Sequence, residues 1–334
     1  TGFVGKFGIR VPEGVEDEWF DYFRPSAYPY FKDVDGEKRH LTDINMDRAI
    51  DFIRKTDTEQ SFCLSVSTWA PHANDSEKQQ YFWPSACDDL YRDVVIPPPV
   101  LGNPSFFGAL PEFMKKSMNR ERWFWRFDTP EKYQKMVKGY YRMISGVDMA
   151  LGRLLNELKR LDRLRDTIII LMSDNGYFLG ERGFAGKWTM HDLSIRVPLV
   201  IYDPRLERAR RGMIDSSLVL NVDVAPTILD LAGISIPREI QGRSLVPNIK
   251  GSMVNARTEI LTEHLWDHHT IPQTEAVRTE EWKYIRYPQH PEFEELYDLQ
   301  NDSIEKNNLV FGDRYSEIRA KLSKTCDQLI QKVS

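Results

Sequence analysis

The chain has little cysteine: Cys63, Cys87 and Cys326 among 334 residues. Their odd number and wide spacing exclude a disulfide framework, and the lack of a C-x-x-C pair removes the usual zinc signature. Cys63 lies in an apolar, strand-like run and reads as a buried small hydrophobe. No apolar run approaches the ~20 residues that a membrane-spanning helix needs. No secretory leader opens the chain. It opens on Thr1-Gly2-Phe3, which already reads as part of a fold, so any targeting segment is expected before it. Positive charge is not in excess: 45 Lys and Arg against 50 Asp and Glu give a net charge of −5. That argues against a nucleic-acid partner recruited by overall charge, though it leaves room for a local basic pocket for an anion. Internal repeats and low-complexity segments are absent, so a repeat architecture is excluded.

What is present is ordinary for a soluble globular chain: 41% apolar and 28% charged residues. A chain of this length buries roughly three quarters of the surface its unfolded form exposes, so no disulfide staple is needed. Residues 42–55 carry Ile44, Ala49, Ile50 and Ile53 on one helical face, with Thr42 or Asp43 as the cap. Residues 61–67 alternate and read as a strand stopped by Pro71. Residues 73–128 are rich in proline and aromatics, including Ile96-Pro97-Pro98-Pro99-Val100. They read as a long irregular, lid-like excursion from the core. The strongest helix covers about 130–161. Tyr133, Val137, Tyr140, Ile144, Val147, Leu151, Leu154, Leu158 and Leu161 form one apolar stripe, Thr129 caps it and Pro130 fills its first position.

The next segment, Thr167-Ile168-Ile169-Ile170-Leu171-Met172, is continuously apolar and reads as a strand covered on both faces, as in a parallel sheet. Residues 197–202 read as another strand. A helix follows at about 223–232, capped by Asp223 and ended by Gly233. After about residue 250, short strand-like pieces and a closing helix at about 313–332 suggest a small antiparallel sheet. The expectation is an α/β fold with a mostly parallel central sheet flanked by helices over residues 1–250, and a small C-terminal antiparallel sheet plus helix over 251–334.

Asp174-Asn175-Gly176 follows directly on the apolar strand, where α/β sheets place their ligands. A carboxylate beside an amide oxygen suits a hard cation, Ca²⁺ or Mg²⁺, although the same three residues also make a plain turn. Lys187 comes about a dozen residues later across a Gly-rich loop. A lysine beside a metal is a sensible anchor for a sulfate or phosphate, although by itself Lys187 reads as a solvated surface residue. His191, four residues on, would share a helical face with Lys187 and reach substrate. Glu263, His264, Asp267, His268 and His269 form a dense ligand-capable cluster, read as an exposed polar loop near the cleft rather than as a zinc site. Lys115, Lys116, Arg120, Arg122, Trp123, Trp125 and Arg126 mix cations with aromatics. That mixture suits either a sulfated sugar or, the reading favoured here, a lid that packs its tryptophans inward.

In order along the chain, Thr1-Gly2-Phe3-Val4-Gly5-Lys6, Ala70-Pro71-His72, Ser173-Asp174-Asn175-Gly176, Leu179-Gly180-Glu181-Arg182-Gly183, Gly186-Lys187-Trp188, Ile195-Arg196-Val197-Pro198-Leu199, Gly242-Arg243-Ser244-Leu245 and Glu295-Leu296-Tyr297-Asp298-Leu299 resemble the conserved segments of the formylglycine-dependent sulfatases, in the alkaline-phosphatase-like superfamily. The resemblance implies a sulfuric ester hydrolase acting on a sulfated carbohydrate or aryl compound. A phosphodiesterase or phosphonate hydrolase on the same fold is the alternative, and a non-catalytic binding fragment is a third. It implies Asp174 and Asn175 as metal ligands, with Ca²⁺ or Mg²⁺ as the ion. Lys6 and Lys187 would be sulfate-holding catalytic lysines, and His72 a general acid at the leaving oxygen. Arg182, His191 and His264 are further substrate-binding candidates. Partners are expected to be sulfated small molecules or carbohydrates, and a periplasmic or secreted location follows from the family.

The sequence departs from that family in two places. Gly8 stands where a histidine is common after T-G-Y-x-G-K. The C-x-P-S-R segment that yields the formylglycine nucleophile, and the paired aspartates of the first strand, are not found. In the family both precede the segment matched by Thr1–Lys6, so they are expected upstream of this chain. A chain with only Asp174 and Asn175 for a dication is then expected to bind Ca²⁺ weakly and hydrolyse no sulfate ester, and its sheet to keep an unpaired edge.

Overall fold

In the computed structural model, residues 1–252 and 256–333 are described. Contacts divide the chain into a first unit, Thr1–Pro98 with Trp125–Ile168, and a second, Pro99–Phe124 with Ile169–Ser334.

The first unit contains β1 (Gly2–Gly5), β2 (Tyr22–Pro25), the hairpin β3 (Phe31–Val34) and β4 (Glu37–His40), and β5 (Leu64–Ser67). β1 is the middle strand of a three-stranded sheet and runs parallel to both β2 and β5. The helix Leu41–Lys55 presents Met46, Ala49 and Ile50 to Leu64 and Val66 of β5 and to Ala150 and Leu154 of the long helix Pro130–Arg160. This packing follows from the apolar spacing of both helices. Thr129 caps the long helix as expected, its hydroxyl accepting from Lys132 N–H at 3.2 Å. The cap of Leu41–Lys55 is neither Thr42 nor Asp43. His40 precedes the helix, and its Nδ1 accepts from Thr42 N–H at 3.2 Å. At the other end Arg163 donates to the Ile53 and Thr56 carbonyls at 3.1 and 3.0 Å, satisfying oxygens the helix leaves open. Cys63 lies just outside β5 and is exposed, not buried as its apolar neighbours suggested.

The second unit contains β6 (Ile169–Met172), the two-residue pair β7 (Phe178–Leu179) and β8 (Ala185–Gly186), and β9 (Leu199–Tyr202). Its remaining strands are β10 (Glu259–His264), β11 (Thr274–Thr279), β12 (Trp282–Arg286) and β13 (Glu294–Asp298). β10 to β13 form an antiparallel meander. Period-two alternation gives it two apolar faces. Val277, Tyr284 and Leu296 pack on Leu322 and Cys326 of the closing helix Ser316–Val333. Ala276, Ile285, Tyr287 and Tyr297 pack on Phe178, Phe184 and Met190. The C-terminal antiparallel sheet plus helix is therefore as expected.

The mostly parallel central sheet is not. The described parallel pairing is confined to the three strands of the first unit, and β6 pairs antiparallel with β9. Nor is β6 covered on both faces, because Leu171 is 42% and Val200 of β9 is 56% exposed. An apolar run records a preference for burial, but it carries no information on a partner's direction. The excursion is also more regular than expected. It contains the helices Pro104–Gly108, Glu112–Lys115 and Met118–Arg126, although residues 96–99 are non-helical as their prolines require. Asp223 stands at the N-cap of the next helix as expected, but its carboxylate makes no bond to that helix and instead accepts from the Leu220 N–H at 2.8 Å. It is fully buried, takes both Nη atoms of Arg257 at 2.6 Å and accepts from Arg243 N–H at 2.8 Å. The helix after it spans Val224–Leu231.

Candidate active site

In the first unit, the carboxyl ends of all three parallel strands deliver polar side chains to one cluster, the place where α/β sheets bind ligands. β1 ends at Gly5, whose φ is +108°, and a Cβ there would stand 1.9 Å from the Ser67 carbonyl oxygen. Only glycine permits that approach. It lets Lys6 N–H donate to Ser67 at 2.7 Å and Ser26 N–H donate to Gly5 at 2.7 Å, fixing the exits of the three strands on one another. Lys6 Nζ then lies 4.9 Å from the centre of the Trp69 ring. Trp69 Nε1 donates to Ser26 at 2.7 Å, and its ring lies 4.3 Å from that of Tyr28.

Tyr28 leads to His72, its hydroxyl 3.0 Å from His72 Nδ1. His72 Nδ1 is also 2.6 Å from the Ala73 carbonyl, which can only accept, so the Nδ1 hydrogen is assigned there. Tyr30 holds the backbone, its hydroxyl donating to the His72 carbonyl at 2.5 Å. His72 itself is exposed. Lys6 and His72 therefore belong to one cluster through Trp69 and Tyr28. Neither aromatic was singled out from the sequence, and the signal was faint: Trp69 directly precedes Ala70-Pro71-His72.

The second unit builds its site on the turn after β6. Asp174 is exposed and accepts from Asn175 N–H at 2.9 Å. Asn175 Oδ1 accepts from Lys187 Nζ at 2.7 Å, while its Nδ2 donates to Gly176 at 2.7 Å. Gly176 N–H donates to the Ser194 carbonyl at 2.7 Å. A Cβ on Gly176 would meet the Leu193 carbonyl oxygen at 2.2 Å, so glycine is required by close packing here. Lys187 is held by its own backbone: Asn119 Nδ2 donates to its carbonyl at 2.6 Å, and Thr274 Oγ1 donates to the next carbonyl, Trp188, at 2.9 Å. His264 is half-buried. Burial, and the Lys187 charge besides, push its imidazole below the ordinary histidine pKa against a backbone hydrogen bond that raises it. Asp174, Asn175 and Lys187 are thus joined by hydrogen bonds, and His264 lies opposite Thr274, the residue that bonds the Trp188 carbonyl.

Arg182 and His191 occupy a different environment. His191 is fully buried, with Nε2 3.1 Å from Glu295 Oε2 and Nδ1 3.1 Å from Thr189 Oγ1. Arg182 is 4% exposed, adopts φ +55°, and donates to the Glu305 carbonyl. Glu295 is completely enclosed. Burial alone would raise its pKa, but the charges of His191 and Arg182 and the Tyr287 hydroxyl at 2.5 Å hold it at about 2. Beside it, the fully buried Lys283 Nζ donates to both Asp192 and Glu305. Arg182 and His191 are thus tied into a buried charge network that anchors the loop 177–196 to the meander and to Glu305 just past it. Glu181, whose carboxylate accepts from Leu179 N–H at 2.6 Å, has its pKa raised by burial.

The donors at Asp174 and Asn175 are of the right type for a hard dication, but they are two where six to eight oxygens are wanted. Among the described residues, no group of three or more His, Cys, Asp or Glu side chains is placed to hold a metal. This covers the polar loop at 263–269. The buried thiols make poor nucleophiles: burial pushes Cys326 up to about 12 and raises Cys87 as well. No described helix is long and apolar enough to cross a membrane.

Residues 14–234 match the sulfatase family profile, and residues 180–332 match that of the N-sulphoglucosamine sulphohydrolase C-terminal region. An N-acetylglucosamine-6-O-sulfatase of Bacteroides thetaiotaomicron is 27% identical over 98% of this chain and 69% of its own length. An arylsulfatase of Clostridium perfringens is 30% identical over 84% of this chain and 56% of its own. The chain thus spans between about half and about two thirds of these relatives. A solved structure of a protein in complex with its substrate D-glucosamine-2-N,6-O-disulfate shares the fold, with TM-score 0.84 and 24% identity over 99% of this chain and 79% of that one.

Proposed function

This chain belongs to the sulfatase family, in the alkaline-phosphatase-like superfamily, and from that premise we propose that it carries the sulfate-holding part of a carbohydrate or aryl sulfatase site. The observation that carries the reading is the hydrogen bond of 2.7 Å between Lys187 Nζ and Asn175 Oδ1. It unites, across a dozen residues of loop, the cation and the oxygen pair that a doubly anchored anion needs. Asp174 and Asn175 would contribute oxygens to a divalent cation, whose role when bound is to draw charge from the sulfate.

Lys187 would hold a sulfate oxygen and stabilise the charge that grows on it as the S–O bond breaks. Lys6 has the same proposed role in the first unit, oriented by the Trp69 face. His72, with Nδ1 engaged by Ala73 and Tyr28, would use Nε2 to protonate the departing alkoxide. Arg182 and His191 act in this proposal by holding the loop rather than by touching sulfate, because their side chains are committed to Glu305 and Glu295. With two oxygen donors and no reactive thiol in a formylglycine context, this stretch of protein is expected to bind Ca²⁺ weakly and to turn over no sulfate ester by itself.

The test is calorimetric binding of methyl sulfate, with and without Ca²⁺, to the chain and to its Lys187→Met and Asp174→Asn variants. Lys187→Met is expected to weaken sulfate binding about 10- to 100-fold, the range for one charged hydrogen bond. Asp174→Asn is expected to abolish any Ca²⁺ enhancement. Unchanged sulfate affinity in Lys187→Met would defeat the proposal, as would robust Ca²⁺-dependent turnover of an aryl sulfate by this chain for the inactivity part of it. Tighter binding of methyl phosphonate than of methyl sulfate would move the assignment to a phosphonate hydrolase.

A further inference from the structure

Lys187 stands between two residues of positive φ: Gly186 at +140° and Trp188 at +82°. At Gly186 the conformation is free of cost, and a Cβ there would meet Asn119 Oδ1 at 2.2 Å. At Trp188 it is not. A bulky side chain in this region is a strained outlier, and it persists only where its surroundings fix it.

The surroundings do so from two distant parts of the chain. Asn119 Nδ2 donates to the Lys187 carbonyl at 2.6 Å, and Thr274 Oγ1 donates to the Trp188 carbonyl at 2.9 Å. Those carbonyls belong to the two peptide planes that flank the Trp188 Cα. Holding both planes sets φ and ψ of Trp188. The Arg122 guanidinium lies 4.7 Å from the centre of the Trp188 ring and holds the side chain as well.

Asn119 and Arg122 share the helix Met118–Arg126, whose first turn is itself anchored. Met118 N–H donates to the Thr270 carbonyl at 2.8 Å, and Arg120 donates to the Gly183 carbonyl at 3.1 Å. The Arg120 guanidinium also lies 3.8 Å from the centre of the Phe107 ring and 3.9 Å from that of Trp123. The cations and aromatics of this stretch are thus turned on the Lys187 segment. Asn119 is 2% exposed, so its amide is set by packing.

We propose that Asn119 and Trp188 are positioning residues for Lys187, holding the strained peptide between them so that Lys187 Nζ is aimed at Asn175 Oδ1. A lysine has a long flexible stem, and the direction in which that stem leaves the chain is the part of its aim that the backbone can set. The proposal rests on the anion-holding role of Lys187 given above and adds what presents that lysine to its site.

The experiment follows two readouts in the wild type and in Asn119→Leu, Trp188→Gly, Trp188→Phe, Glu121→Ala and Lys187→Met. One is the NMR signal of the Asn175 side-chain amide, which reports the bond from Lys187 without any sulfate present. The other is calorimetric affinity for methyl sulfate. Asn119→Leu removes the donor, and Trp188→Gly removes both the ring and the strain. Each should move the Asn175 signal towards its Lys187→Met position and weaken methyl sulfate about 3- to 10-fold, the effect of one ordinary hydrogen bond. Trp188→Phe keeps a ring for Arg122 and should restore most of both readouts. Glu121→Ala, an exposed change on the same helix, should leave both unmoved. A merely structural role would lower the melting temperature and leave the Asn175 signal of the folded protein where it was. Should Asn119→Leu fail to fold, Trp188→Gly carries the same test. An Asn175 signal unmoved in the folded variants overturns the proposal. Unchanged methyl sulfate affinity in Lys187→Met instead defeats the anion site beneath it, whatever the Asn175 signal does.

Discussion

Replacing Lys283 by methionine should destabilise the second unit severely, and in a way that depends on pH. Lys283 Nζ is fully buried and bridges two carboxylates, Asp192 at 18% and Glu305 at 2% side-chain exposure. Methionine fills similar space but removes the ammonium between them. Arg278 remains near Asp192, but at 3.4 Å, and Glu305 keeps the Asp192 N–H at 2.9 Å. Breaking a buried ion pair from one side costs about 3–5 kcal/mol, because the partner charge is left uncompensated. For a unit of this size that lowers the melting temperature by about 10 °C. The sign of the pH effect follows from Asp192. Burial raises its pKa, but Lys283 and Arg278 outweigh burial and bring it below the ordinary 3.8. In the wild type its contribution is therefore complete above about pH 4 and lost below it. Without Lys283 the Asp192 pKa rises, so protonation relieves the variant as pH falls from 7 to 5. Scanning calorimetry at both pH values should show a deficit that narrows at pH 5. The site should loosen too, because Asp192 opens the turn whose Ser194 carbonyl takes the Gly176 N–H. A variant melting within 2 °C of wild type at pH 7, or one whose deficit widens at pH 5, would refute this account of the network.

Three further outcomes are expected. The His264 imidazole should titrate below the ordinary 6.5 by proton NMR, and its midpoint should rise in Lys187→Met; a midpoint indifferent to that change would separate the two residues. Gly5→Ala should cost at least about 2 kcal/mol in urea unfolding, from the combination of positive φ and the clash with Ser67, and a near-neutral result would mean that the exits of β1 and β5 are not as close as described. In the native protein a thiol reagent should modify one cysteine, Cys63, and leave Cys87 and Cys326 until unfolding; rapid labelling of all three would contradict their burial.

Much of the fold was legible where local rules decide it. The apolar stripe, Thr129 and Pro130 place the helix Pro130–Arg160 within a residue at its end. The meander after residue 250 shows in its alternation, although Glu259-Ile260-Leu261-Thr262-Glu263-His264, which forms β10, has charged ends that mark it weakly. Strand direction was not legible. The run around Ile169–Met172 fits either orientation, and its antiparallel partner Leu199–Tyr202 lies beyond a loop holding Asp174, Asn175 and Lys187.

The same distinction governs the site. Asp174, Asn175 and Lys187 could be read together as candidates because their chemistry and the contact between Lys187 and Asn175 fall within one short stretch. The reason that stretch holds its shape could not be found there. The carbonyl that demands glycine at 176 belongs to Leu193, the carboxylate that fixes His191 belongs to Glu295, and the ammonium that fixes Asp192 comes from Lys283. A buried charge and its distant partner look in sequence like two solvated residues, since nothing local distinguishes an ion pair in the core from two side chains in water. Arg182 and His191 read as substrate-binding for that reason: a cation and an imidazole near a predicted anion site suggest contact with the anion. The structure instead commits His191 to the Glu295 carboxylate in the meander and Arg182 to the Glu305 carbonyl just past it. Their effect on sulfate must then pass through the loop they hold. Substituting either should lower stability and sulfate affinity together, whereas Lys187→Met should lower affinity alone.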